Sequence, residues 1–178
     1  MRVDGITFSP ELVANAAHAR SRPADLKPSA ARLTIVCGPA ASGKTTYVQQ
    51  HASEGDIVID LDHIAHRLCN GAYGRDRPAW LLEAALKERN KMLRSLATTT
   101  AKAAWFIVAA PSKDERDWWA SQLRPVHIEV ILTPLSVCIE RIKADRNRRM
   151  IEAKSIEWAT TWWQTYTATT QAGGRSKV

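Results

Sequence analysis

The segment Gly38-Pro39-Ala40-Ala41-Ser42-Gly43-Lys44-Thr45 constrains this chain more than any other. It fills every fixed position of G-x-x-x-x-G-K-(S/T), the Walker A phosphate loop, and Thr46 continues it. Glycine lets the backbone bend close to an anion and aim its N–H groups inward. Lys44 supplies a cation for β- and γ-phosphates, and the Thr45 hydroxyl suits Mg²⁺. Such a loop must follow a buried strand and open a helix, whose N-terminal dipole faces the same anion. Leu33-Thr34-Ile35-Val36-Cys37 is apolar and β-branched, as a central parallel strand requires. Lys44 to Gln50 holds no helix breaker. Residues 38–46 are therefore expected to bind ATP, or another nucleoside triphosphate, with Mg²⁺.

The remaining sequence sets this loop in one domain. A chain of 178 residues can bury a single core without staples. Residues 1–31 read as an N-terminal extension and linker, 32–170 as the nucleotide-binding domain, and 171–178 as a flexible tail. Within the extension, Ser9-Pro10-Glu11 suits the start of a short helix to about Arg20. Three cysteines, Cys37, Cys69 and Cys138, are widely spaced in apolar segments and read as buried free thiols. With no apolar leader and no run of membrane-spanning length, a cytoplasmic location is expected, the host cytoplasm if a phage encodes the chain. The net charge of +7 favours polyanionic partners, so nucleic acid joins nucleotide as a candidate partner.

Strand and helix patterns alternate. Apolar β-type runs occur at 57–59, 105–109 and 127–132. Helical patterns are expected at 63–69, 79–97, from the capping box Ser112-Lys113-Asp114-Glu115, from Thr133-Pro134 through an arginine-rich stretch, and at 155–167. Such alternation implies right-handed crossovers, a mainly parallel sheet, and helices on both faces. Ligands then bind at the carboxyl ends of the strands.

Asp60 and Asp62 close the second strand at alternate positions, so an extended chain points both to one side. One can hold Mg²⁺, and this role falls to Asp60 with Thr45; the other, Asp62, can take a proton from an attacking hydroxyl. Arg141, Lys143, Arg146, Arg148 and Arg149 form a basic segment able to neutralise a transferred phosphoryl group. Arg141 and Arg146 are the expected catalytic pair beside Lys44. Arg67, Arg75 and Arg77 are candidates for contacting an acceptor. Strands three and four end without an acid, so no Walker B residue follows them, which argues for a small kinase over a motor ATPase.

The loop, the strand ending Asp60-Leu61-Asp62, and the run from Leu132-Thr133-Pro134 through Arg141 to Arg149 together resemble the polynucleotide kinase/zeta toxin group of P-loop kinases. Trp162-Trp163 and Tyr166 are also similar to small bacteriophage kinase-like ATP-binding proteins. The resemblance implies a three-layer P-loop NTPase α/β fold, adenylate-kinase-like, with an arginine-rich lid. Its short parallel sheet would have about four strands in the order 2-3-1-4. It implies Asp62 as base and Arg141 and Arg146 as lid residues on the phosphates. The acceptor could be a nucleic-acid 5′-hydroxyl or a nucleotide-like small molecule. An accessory protein that binds nucleotide and nucleic acid without kinase activity is the alternative.

Overall fold

The computed structural model describes residues 22–74 and 77–173, plus two short paired strands, Arg2–Val3 and Ile6–Thr7. The helix expected before Arg20, and Arg75, lie outside the described residues. The main sheet holds β1 (Arg32–Cys37), β2 (Ile57–Asp60), β3 (Ala103–Val108) and β4 (His127–Val130). All pairings in it are parallel and the strand order is β2-β3-β1-β4, as expected. A phosphate loop between β1 and the next helix, in a parallel sheet of this order, is the P-loop NTPase arrangement.

The two faces of the sheet are covered differently. On one face Leu33, Ile35, Ile59, Ala104 and Phe106 meet Ile64, Leu81, Ala85, Leu93, Trp119 and Leu123 in the principal core. Those partners come from α2 (Leu61–Leu68), α3 (Ala79–Ser95) and α4 (Lys113–Leu123). On the other face, Val36 and Ile107 pack against Val48 of α1 (Lys44–His51). A third cluster, Cys138, Ile142 and Ala159, joins α5 (Leu135–Ala144) to α6 (Glu152–Gly173) and carries Ala40 and Ala41 of the phosphate loop against it.

The local signals explain these boundaries. Ser112 accepts from the Glu115 N–H at 3.1 Å, so the serine half of the expected capping box forms and starts α4. α5 begins after Pro134, but no side chain caps it; the Thr133 hydroxyl is used elsewhere. The helix expected to run through the arginines stops at Ala144. Asp145 turns the chain and accepts from the Asn147 N–H at 3.0 Å, opening a 3₁₀ segment, Arg146–Ile151. The last helix starts at Glu152 and runs to Gly173, longer at both ends than 155–167. Cys37 and Cys138 are buried and Cys69 is half-buried; all are free thiols. Among the described residues no helix is long and apolar enough to cross a membrane.

Candidate active site

The phosphate loop leaves β1 at Gly38, whose φ is +150°. A Cβ there would lie 2.8 Å from the Ile131 carbonyl oxygen and 2.9 Å from Ser42 Oγ, so the loop closes only around glycine. Three further contacts pin it. The Gly38 N–H donates to Ala109 O at 3.2 Å. Thr133 Oγ1 donates to Ser42 O at 2.7 Å. Arg141 Nη1 lies 3.3 Å from both Ala41 O and Ser42 O. Ala40 and Ala41, variable positions of the motif, act as apolar feet on α5 and α6. Ser42 Oγ is buried without a hydrogen-bond partner among the described residues, as suits a loop built to receive a polar ligand.

Lys44 folds back over this loop. Its ammonium donates to Gly38 O at 2.8 Å and Pro39 O at 2.6 Å. Burial lowers its pKa to about 8, against the pull of the Asp60 and Asp62 carboxylates. The first-turn N–H groups of α1, including those of Thr45 and Thr46, have no partner within the helix, which leaves them for an anion.

Asp60 is the last residue of β2 and stands level with Ile107 of β3, on the α1 side of the sheet. Thr45 Oγ1 donates to its Oδ2 at 3.0 Å. A hydroxyl and a carboxylate side by side are the hard oxygen donors that Mg²⁺ takes, so the residues present fit the ion. The other oxygen, Oδ1, accepts from the Asp62 N–H at 2.9 Å and caps α2. This corrects the expectation that both acids sit on one extended strand. The helix begins at Leu61, so Asp62 lies on its first turn. The two carboxylates diverge because the chain rotates between them, and the cap that Asp60 provides is what causes the turn.

Asp62 faces a cavity of about 300 Å³ lined also by His66, Gly71, Tyr73, Gly74, Arg77 and Asn147. Arg77 Nη2 meets Asp62 Oδ1 at 2.5 Å; the arginine side chain is 11% exposed and the aspartate 46%. Arg67, an expected acceptor contact, points instead toward Glu88 of α3 at 4.0 Å. Of the expected lid pair, Arg141 touches the phosphate loop, whereas Arg146 is exposed on the 3₁₀ segment. Arg148 is buried and structural, pairing with Asp145 at 3.2 Å and donating to Ser155 Oγ at 3.3 Å.

A larger, shallow hollow of about 810 Å³ lies at the amino ends of the strands, lined by Arg32, His51, Asp56, Lys102 and Trp105 among others. It is at the wrong end of the sheet for this chemistry, since βα loops and the phosphate loop all gather at the carboxyl ends. The carboxyl end of β3 carries no acid. Its Ala109 carbonyl accepts the Trp162 indole N–H at 2.7 Å, and Arg116 holds Ala110 O and Pro111 O at 2.8 and 2.7 Å. Sequence reasoning missed Asn147, the Thr133 latch and the apolar feet of the loop. Only the two alanines carried a signal, being small and apolar where the motif accepts any residue.

A family model described as an AAA domain matches residues 33–170. A shikimate kinase from Acinetobacter baumannii, solved in complex with shikimate, is similar at 18% identity and TM-score 0.49, covering 81% of this chain and 80% of that one. TT1252 from Thermus thermophilus is similar at 18% identity and TM-score 0.46, covering 82% and 85%. Comparison with curated proteins gives no match.

Proposed function

The chain belongs to the AAA domain family, and from that premise we propose that it is a P-loop phosphotransferase carrying the γ-phosphoryl of ATP to a hydroxyl acceptor. The observation that carries this reading is the position of Asp62. Its carboxylate lines a cavity two residues from Asp60, whose other contact is the loop threonine. Donor and acceptor thus meet at the end of β2.

Asp62 takes the proton of the acceptor hydroxyl as its oxygen bonds to the γ-phosphorus. The bond from that phosphorus to the β,γ-bridging oxygen breaks, and ADP leaves with the electron pair. Lys44 leaves the Gly38 and Pro39 carbonyls for the phosphates, where its charge offsets the charge that develops. Thr45 and Asp60 would hold Mg²⁺, which would supply charge neutralisation to the phosphates when bound. Arg141 already touches the phosphate loop and stands ready to contact a bound phosphate. Arg146 is exposed on the 3₁₀ segment, and in this reading that segment acts as a lid that brings it to the phosphates.

The test is phosphoryl transfer from γ-labelled ATP by wild type and Asp62→Asn, with ATP binding measured in parallel. Lost transfer with normal binding supports the assignment; equal transfer by both sinks it.

The polynucleotide kinase/zeta toxin grouping, and a relation to bacteriophage kinase-like proteins, rest on Asp62, Arg141 and the Trp162-Trp163 and Tyr166 pattern. A second reading, a nucleotide-binding accessory protein that holds nucleic acid, is favoured by one surface. Arg146, Arg149, Met150, Lys154 and Trp158 are all exposed along the lid and the start of α6, with the Lys154 ammonium 5.6 Å over the Trp158 ring. Phosphate-backbone binding there would weaken steeply with salt, so oligonucleotide affinity that stays flat from low to moderate salt argues against it.

A further inference from the structure

On the reading that Asp62 is the acceptor base, we infer that the acceptor carries an aromatic or heteroaromatic ring next to its hydroxyl-bearing part, and that Trp80 and Tyr73 are the specificity residues that hold this ring. The cavity beside Asp62 holds about 300 Å³ and counts Tyr73 among its walls. Small-molecule sites run from roughly 300 to 1,000 Å³, so this one suits the part of an acceptor that brings its hydroxyl to Asp62. The rest of the molecule then lies at the rim, beside Tyr73.

The rim is aromatic there. Trp80, on the first turn of α3, meets Tyr73 edge to face, with ring centroids 6.1 Å apart and ring planes at 81°. Both are strongly exposed, the tryptophan at 58% and the tyrosine at 41%. Trp119 and Trp162, by contrast, are buried and serve the core. An indole left this open contributes little burial to the fold. Ala72, Gly74 and Ala79, beside the pair in sequence, are exposed as well, and none has a side chain long enough to cover the rings.

Two rings at nearly a right angle form the walls of a corner. A third ring laid in it stacks on one wall and meets the other edge-on, the two arrangements that aromatic pairs prefer. Tryptophan and tyrosine are also the side chains that most often carry the binding energy of a recognition surface. The corner is held in register with the base. Leu81, next to Trp80, and Ile64, two residues after Asp62, are both buried in the principal core, which fixes the first turn of α3 against that of α2.

The experiment measures transfer from γ-labelled ATP by the full chain to matched acceptors with and without a ring: nucleosides against ribose, and phenyl against methyl glycosides. The two pairs separate a nucleobase from a plain aryl ring. At least one ring-bearing acceptor is expected to show a KM about five- to a hundredfold below that of its ring-free partner. Trp80→Ala should remove most of that difference and Trp80→Phe should restore it, while the KM for ATP and the melting temperature stay put. Equal KM values within both pairs overturn the inference, as does absence of transfer to every ring-bearing acceptor or a difference that survives in Trp80→Ala. A change of oligomeric state in Trp80→Ala would make the corner a contact between two copies of the chain, and overturns it too. Asp62→Asn separates this inference from the reading on which it rests. If it abolishes transfer while the matched acceptors are equal, the kinase reading stands and the ring falls. If it abolishes nothing, the kinase reading falls.

Discussion

In the site proposed above, the donor half is one contiguous stretch of chain; the acceptor half is assembled from three. Gly38 to Thr45 supplies the loop, the lysine and the hydroxyl in eight successive residues. Asp62 lies on the first turn of α2, Arg77 just before α3, and Asn147 on the 3₁₀ lid. The loop is rigidly held, by Ala109, Thr133, Arg141 and the alanine feet. On the other side, the Asp62–Arg77 ion pair links two of the three elements. A triphosphate has the same geometry in every P-loop protein, so its cradle can be local and fixed. Acceptors differ, and the parts that read them are spread over elements that vary independently.

Substitutions can break this contrast. Asp62→Asn has the largest expected effect, a loss of roughly 10²–10⁴-fold in kcat with ATP affinity unchanged, since only proton removal is affected. Equal losses in ATP affinity would mean that the two halves are not separable. Lys44→Ala comes next, at roughly 10²–10³-fold in kcat, and unlike the first it should weaken nucleotide binding too.

A smaller effect is pH-dependent. A triphosphate favours the charged form of Lys44, and burial puts the free lysine at about 8. Below that pH the ammonium is already present and this group adds no slope. Above it the loop has to take up a proton to bind, so ATP affinity should fall by about tenfold per pH unit. Calorimetry in buffers of different ionisation enthalpy would detect the uptake, and a flat affinity from pH 7 to 9.5 would remove Lys44 as its source. The smallest is Thr133→Val, which leaves Ser42 O without its 2.7 Å donor and costs about 0.5–1.5 kcal/mol. Read as melting temperature and ATP affinity together, it tells whether the latch holds the fold or the loop.

What could be read from residues alone follows the same division. The phosphate loop, its flanking strand and helix, the serine cap at Ser112 and the alternation of strands depend on neighbours in sequence, and each stands where its pattern puts it. Asp60 and Asp62 were visible as a pair, but their relative direction depended on where β2 ends. The cap bond from Asp60 to the Asp62 N–H decided that, by starting the helix one residue after the strand. As sequence, Arg67 stood ahead of Arg77, being nearer to Asp62 in the chain. Only the packing of α2 against α3 turns Arg67 toward Glu88 and leaves Arg77 for Asp62. In the same way Arg141 and Arg148 look alike in an arginine-rich run. One touches the loop and the other is buried against Ser155, because Asp145 breaks the helix between them.

The carbonyl of Ala109 accepts from the loop at Gly38 and from α6 at Trp162. Since α6 continues directly out of the 3₁₀ lid, the stretch from Glu152 to Trp162 is a stiff rod of about 15 Å with the lid at one end and the loop's own anchor at the other. The carbonyl on which the phosphate loop rests is thus tied directly to the helix that leaves the arginine-rich segment. Trp162, stacked on Tyr166 at 5.1 Å, stands at that junction, where its fluorescence would report a change in either partner.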